Sequence, residues 1–478
     1  MSATTTATPA RSDIAAKALS LAAAALAAVG ATLTGLAVGG GSKLLVVMPL
    51  AIGVSVLLGV IALTRFGAYV FLMLLMRSSV DLAKLSGPAA GSTAENGTAA
   101  RGADPSSILA AIFLIAAAMW LAAQYRAGGG KLPGSPLRRA LCVFALGGVL
   151  SIAGSGQPAV SAVESLRIIS VVAMFAVLEQ MMRDREATLR VLLAVFLSLA
   201  APLLYTAGGF LLGMPPAESK GSFIRITGTF SQSNTFGRYL MVMLVFSVAV
   251  YPHLSRRAKT FLGPAIVLSS VFLLLTYTRT ALLGTVLGLI VVGVLQSKRV
   301  LIGLAVIAIA ALIFVPQLAS RFSVLTSTET VSAGRAPSGN SLEWRLSYWS
   351  KVLPLANQNP VTGIGLNQTQ YQTSKAKQPH SDFVRAYVET GLLGLAAYLV
   401  MLGSLLATGW RAVRASPETG LDRGIAVGFL GCATAFVAVS VAANVMSNVV
   451  TLWYLVAFGA AAVGVTYRSE HSVVRPAT

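Results

Sequence analysis

Apolar residues fill the chain in continuous runs separated by short polar breaks, without period-two alternation. Runs of about twenty residues can cross a ~30 Å hydrocarbon core as helices. The lack of alternation excludes a membrane barrel. The runs predict spans over Ile14–Val38, Leu44–Leu63, Phe66–Met76, Ile108–Ala123, Leu141–Ile152, Val160–Met181 and Val191–Leu212. They continue over Tyr239–Tyr251, Phe261–Tyr277, Ala281–Leu295, Val300–Val315, Phe383–Gly409, Ile425–Val441 and Val449–Val465. That is about fourteen segments, several so short that about twelve full crossings satisfy the length criterion equally well.

The expected fold is therefore an all-α polytopic membrane protein with a long, partly helical loop. Its expected parts are N-terminal helices (1–190), core helices (191–315), the loop (316–382), C-terminal helices (383–467) and a tail (468–478). The segment Ser86–Ser107 is rich in small residues and reads as a flexible loop. The N-terminus has a signal-like shape, but a second apolar run follows at once, so an uncleaved first helix is expected.

Composition agrees, with 55% hydrophobic and 11% charged residues. A formal charge of +20 would suggest nucleic acid in a soluble chain. Here the Lys/Arg bias of cytoplasmic loops explains it first, and no nucleic-acid partner is expected. The short basic loops RDREATLR, SRRAK, SKR and RAVRASPETGLDR are separated by even numbers of crossings, which puts them and both termini on the cytoplasmic side. Cys142 and Cys432 lie in separate apolar runs and read as small buried hydrophobes.

Chemistry collects on the other side. Arg77, Arg225, Arg238 and Arg279 stand at the ends of outer connections, and Arg167 lies within a span toward that side. An arginine at membrane depth costs about 2.5 kcal/mol or more, so it usually faces a cavity or a partner. Each alone could snorkel to headgroups. As a set, with few outer carboxylates to pair them, they point to an anionic ligand.

In the long loop, Leu342, Leu346, Trp349 and Leu353 recur at helical spacing, predicting an amphipathic helix at the membrane interface from which Arg345 projects. NPVTGIGL then forms a glycine-rich turn able to approach a ligand. Ser381 or Asp382 caps the next helix, which places His380 at its lip. Arg385 and Glu389 share a helix face and can pair. Glu389 lies about half a rotation from His380, so it is expected to lock the helix and its GLLG bend rather than to orient the imidazole.

His380 is the one histidine of three assigned to the outer face. A lone histidine without paired carboxylates does not make a metal site. One base with many guanidinium groups suits a transfer in which an anionic leaving group needs charge stabilisation and an accepting hydroxyl must lose a proton. Nearby arginines would favour the neutral imidazole. No metal, cofactor or covalent intermediate is required.

GTFSQSNTFG (228–237), TYTRTALLG (276–284), the WRLSYW…NPVTGIGL block and HSDFVRAYVETGLLGL resemble the O-antigen ligase/polymerase superfamily, in its order and from about Val191 onward. Chain length and loop size look most like the O-antigen ligase branch. The resemblance implies a metal-independent glycosyltransferase of the bacterial inner membrane, with a fold of the glycosyltransferase-C type. It would move O-antigen polysaccharide from undecaprenyl pyrophosphate to a hydroxyl of lipid A–core at the periplasmic face, among membrane lipids. It also implies His380 as the catalytic base and Arg225, Arg279 and Arg345 as pyrophosphate-binding residues, with Arg167 and Arg77 as further donor-binding candidates. Asn234, Arg385 and Glu389 would be structural neighbours of the site. Ser381 stands where family members often have Asn. An O-antigen polymerase or a protein O-oligosaccharyltransferase would share these motifs. A lipid-linked sugar transporter would instead line a path across the bilayer with its basic residues.

Overall fold

The computed structural model describes residues 53, 57–82, 105–220, 223–314, 342–373 and 377–473. The expected span Ile14–Val38, much of Leu44–Leu63, most of Ser86–Ser107 and the first part of the long loop lie outside them. The described helices are α1 (Phe66–Met76), α2 (Pro105–Ala127), α3 (Pro136–Leu150), α4 (Pro158–Met181), α5 (Arg185–Leu197), α6 (Ala200–Leu211) and α7 (Ser233–Val250). They continue as α8 (Arg256–Leu275), α9 (Arg279–Leu295), α10 (Lys298–Phe314), α11 (Leu342–Val352), α12 (Asp382–Ala415), α13 (Leu421–Ser440) and α14 (Val449–Val473). Among the described residues, nine helical stretches are long and apolar enough to cross a membrane, α5 and α6 together counting as one, and α1 and α9 are shorter apolar helices.

Most helices begin before the apolar runs that predict them, and several of these polar first turns are capped by a side chain. Ser135, Asp184 and Ser255 each accept a hydrogen bond from the backbone N–H three residues on, at 3.3, 2.9 and 3.3 Å. The run Val191–Leu212 is not one helix but two. Pro202 offers no N–H to the Ser198 carbonyl, which accepts instead from the Ser78 hydroxyl at 2.8 Å, and the helix breaks there into α5 and α6. The stretch 213–238 joins two apolar runs. It contains an antiparallel hairpin, β1 (Ala217–Lys220) with β2 (Phe223–Ile226), in which Glu218 pairs with Arg225, and it ends in the first turn of α7.

α7 is almost wholly buried, packed by α9, α13 and α14. α9 and α13 meet at a glycine contact: a Cβ on Gly288 would stand 2.8 Å from Val245 and 3.0 Å from the Gly431 carbonyl. Small residues let helices approach closely where lipid supplies no hydrophobic drive. The periphery is apolar, with Leu211 88% exposed, as expected of a surface facing hydrocarbon. Cys432 is buried, but Cys142 is exposed on the outer face of α3, against expectation. A cysteine facing lipid needs no burial, so an apolar run does not tell the two faces of a span apart.

The basic connections collect at one end of the bundle. There Arg423 of α13 donates to the Val413 carbonyl of α12 at 2.9 Å and to the Leu295 carbonyl of α9 at 3.0 Å. Arg468 of α14 pairs with Asp422 at 2.9 Å and reaches the Met182 carbonyl at 3.2 Å. The opposite end carries the hairpin, α11 and His380.

Candidate active site

His380 closes the polar segment 377–380 and precedes the Ser381 cap, whose side chain accepts from Val384 N at 3.5 Å. Its backbone is left-handed, with φ of 56°, a conformation uncommon for a residue with a side chain. Neighbours on both sides hold it there. Trp349 Nε1 donates to the Pro379 carbonyl at 2.7 Å. The Asp382 carboxylate is buried and accepts from the backbone N–H groups of Val445 at 2.9 Å and Met446 at 3.2 Å. Gln378 donates to Asn367 at 3.0 Å and accepts from Ser447 at 3.2 Å. The histidine segment is thus held between α11 and the connector from α13 to α14.

α11 leaves its leucine face, the one expected at the membrane interface, uncovered by protein. Leu346 is 54% exposed and Leu353 is exposed too, whereas Tyr348 and Val352 pack with Ala356, Ile364 and Val388. The cause lies in the tyrosine hydroxyl. It meets Thr373 Oγ1 at 2.8 Å and also donates to the Lys377 carbonyl, so this face is tied to the loop carrying His380. Arg345 is partly buried. Burial, and then the charge of Arg279, pull its guanidinium below its ordinary pKa.

NPVTGIGL makes a close approach to the backbone of α12. Helix α12 is broken at Gly391 (φ 66°, ψ −167°). The strand-like turn docks into the break: Leu392 N donates to the Pro360 carbonyl at 2.9 Å and Gly365 N to the Glu389 carbonyl at 3.0 Å. A Cβ on Gly363 would lie 2.4 Å from the Glu389 carbonyl carbon, so the contact requires glycine. Beside it, Arg385 donates to Glu389 at 2.7 Å and to Glu164 of α4 at 3.1 Å. Glu389 also accepts from Asn367 N at 2.7 Å and Thr369 Oγ1 at 2.8 Å. Glu389 therefore organises the loop backbone.

A polar cavity of about 350 Å³ opens at this end, between the N-terminus of α7, the histidine segment and the α13–α14 connector. His380, Arg77, Arg167, Arg238, Lys377 and Asn234 are among the side chains lining it. Asp81 also lines it, so its charged groups are mostly but not wholly cationic, among neutral polar side chains. The Arg77 guanidinium lies over the Trp453 ring, 5.6 Å from its centroid. Arg167 pairs with Glu164 at 3.2 Å, which links the cavity wall to the Arg385–Glu389 network.

The arginines expected to act together thus divide. Arg77 and Arg167 line the cavity; Arg225, Arg279 and Arg345 are not among its lining residues. Arg225 is 1% exposed, and its guanidinium donates to the Thr276 carbonyl at 2.7 Å, Asn234 Oδ1 at 2.7 Å and Thr278 Oγ1 at 3.0 Å. It fastens the hairpin to the TYTRT turn and to a cavity-lining asparagine. Arg345 lies within electrostatic reach of Arg279 and of Arg238. The expectation of few outer carboxylates also fails: Glu164, Asp382, Glu218 and Asp81 all lie at this end, and Glu164 pairs with Arg167 as well as with Arg385. Arg238, named from sequence only as an outer-end arginine, is a wall residue. Asn444, Ser447 and Asn448 also line the cavity. Their one sequence signal is the polar break AANVMSN between two apolar runs.

Comparison with known families now adds to this geometry. Residues 264–399 match the O-antigen ligase family model. The matched ligase segment runs from Pro264 in α8 through the TYTRT turn, α11 and His380 to Leu399 in α12. It is the family the sequence motifs resemble. No curated protein matches the chain. Apolar helices together with this ligase segment make the chain a multi-pass membrane protein. The matched segment supplies Gln370, Lys377, Gln378 and His380 to the cavity, while Arg77, Arg167, Arg238 and the asparagines come from outside it.

Proposed function

We propose that the protein is an O-antigen ligase of the bacterial inner membrane. It transfers O-antigen polysaccharide from undecaprenyl pyrophosphate to a hydroxyl of the lipid A–core oligosaccharide at the periplasmic face, within a glycosyltransferase-C-type bundle. The observation that carries this reading is that His380 lines the same cavity as Arg77, Arg167 and Arg238. The basic end of the bundle lies opposite, which by the positive-inside rule turns the cavity toward the periplasm.

In the reaction, the acceptor hydroxyl oxygen attacks the anomeric carbon of the sugar bonded to pyrophosphate. His380 takes the hydroxyl proton as the new C–O bond forms and the bond to pyrophosphate breaks. The electron pair leaves on undecaprenyl pyrophosphate, whose growing charge is met by Arg77, Arg167 and Arg238 at the wall. Arg225 supports that wall through Asn234, and Arg279 and Arg345 add positive charge near it. One displacement without a glycosyl-enzyme inverts the anomeric carbon.

The test is acceptor choice by the purified protein in nanodiscs, given lipid-linked glycan. Glycosylated lipid A–core is the expected product. Glycan joined instead to another glycan, or to a pilin-like protein, would make the enzyme a polymerase or a protein glycosyltransferase. Movement of donor across the bilayer with no joined product would make it a transporter.

A further inference from the structure

The cavity holds more hydrogen-bonding capacity than a pyrophosphate uses. Besides its cations, it is lined by neutral amides and hydroxyls, among them Gln232, Asn444, Ser447 and Asn448. Three polar atoms there stand out. Asn444 Oδ1, Asn448 Nδ2 and Arg238 Nε are buried with no hydrogen-bond partner among the described residues. Their residues are each more than nine-tenths buried, at 7%, 7% and 8% exposure. Buried polar groups are nearly always paired, and an orphan in a wall calls for a partner that arrives. The amide torsion of asparagine is broad, so a turn about χ2 brings either amide atom to the cavity.

The pattern of orphans selects the partner. A phosphate oxygen only accepts, so whichever way the amides turn it could serve Arg238 and their N–H groups but would leave their oxygens unpaired. A hydroxyl both donates and accepts, so adjacent sugar hydroxyls serve an amide oxygen and an amide N–H together. Position narrows it further. Arg238 lines the cavity with Arg77 and Arg167, and its Nη1 donates to the Asn444 carbonyl at 3.0 Å. The asparagines therefore sit directly beside the cationic wall, where the part of a ligand next to its phosphates would lie.

We propose that Asn444 and Asn448, on the α13–α14 connector, form the subsite for the sugar bonded directly to the pyrophosphate of the lipid-linked donor. This rests on the ligase reading. The subsite lies outside residues 264–399, so it is separate from the matched ligase segment. It holds the reacting sugar by its hydroxyls while the arginines hold its leaving group, which fixes the anomeric carbon between them.

The test is binding to the full-length protein in nanodiscs of two probes, undecaprenyl pyrophosphate and the same lipid pyrophosphate bearing a single hexose. Wild type is expected to bind the glycosylated probe about tenfold more tightly, the worth of one or two neutral hydrogen bonds. Asn444→Ala and Asn448→Ala are expected to keep wild-type affinity for the bare probe and lose most of that increment. Asn444→Ser and Asn448→Ser, which keep a hydroxyl but shorten its reach, are expected to fall between, with melting temperature showing that they fold. Variants that keep the full increment would overturn the subsite alone, as would equal losses on both probes in variants that melt like wild type. Wild type that binds neither probe would overturn the ligase reading as well.

Discussion

Arg385 of α12 and Glu164 of α4 form a buried ion pair at 3.1 Å, joining residues 221 positions apart in the chain. The same guanidinium holds Glu389 at 2.7 Å, and Glu164 also holds Arg167. One network therefore runs from the cavity wall to the backbone of the histidine loop. Removing one member leaves an uncompensated charge away from water. Glu164→Ala is expected to destabilise the protein by about 3–5 kcal/mol. Breaking the exposed pair Arg190–Glu186 is expected to change stability by under about 1 kcal/mol. Thermal unfolding in one detergent compares them; equal losses would remove the network from the account of stability.

Gly391 provides a second contrast within one helix. Its φ is positive and a Cβ there would stand 2.3 Å from the Val361 carbonyl oxygen, whereas a Cβ on Gly403 meets nothing within 4 Å. Gly391→Ala is expected to cost about 1–3 kcal/mol and to disturb the loop docked in the break. Gly403→Ala is expected to be neutral or to stabilise by up to about 1 kcal/mol. Melting temperatures of the two variants check this directly.

Trp349 acts on His380 through the chain before it, by its bond to the Pro379 carbonyl. Trp349→Phe keeps the ring's bulk and removes the N–H. The expected result is a fall in kcat of about tenfold, with donor KM little changed, because geometry at the reacting group is lost and not binding. A rise in KM at unchanged kcat would place Trp349 in binding instead.

How much of this was legible in the sequence depends on distance along the chain. Most of the described apolar helices were legible because each follows a continuous apolar run, and the Arg385–Glu389 pair because four residues make one helical turn. Glu164 was not, since nothing local marks a carboxylate in α4 as the partner of an arginine in α12. The turn of α11 toward Tyr348 was hidden for a similar reason. Counting leucines gives a face, but the hydrogen bonds of the tyrosine hydroxyl to Thr373 and Lys377 decide which face turns inward. The arginines were visible as a set, and their division into wall and support was not. Arg225 is taken up by the TYTRT turn and Asn234, whereas Arg238, one helical stretch later, lines the cavity.

That division makes separable predictions. Arg238→Lys keeps charge but loses the planar fork, and is expected to weaken donor binding by about tenfold while the fold is retained. Arg225→Lys loses bonds to Thr276, Asn234 and Thr278, and is expected to lower the melting temperature as well as activity. Donor affinity and melting temperature, measured on the same preparations, tell the two apart. A drop in affinity for Arg225→Lys at unchanged melting temperature would return it to the ligand.

A base must be neutral to accept a proton, so transfer is expected to fall as pH drops into the range where an imidazole protonates. On that limb kcat/KM should fall about tenfold per pH unit. The residual rate of a His380→Ala variant should lack this limb. A limb that survives the substitution would belong to another group.

The most direct measurement is single-turnover transfer in nanodiscs, with saturating lipid-linked glycan and lipid A–core, comparing wild type with His380→Ala. The expected result is a loss of about 10²–10⁴-fold in the transfer rate, with donor affinity within about twofold of wild type because the arginines of the wall are untouched. A His380→Ala protein that still glycosylates lipid A–core at near wild-type rate would contradict the role given to His380.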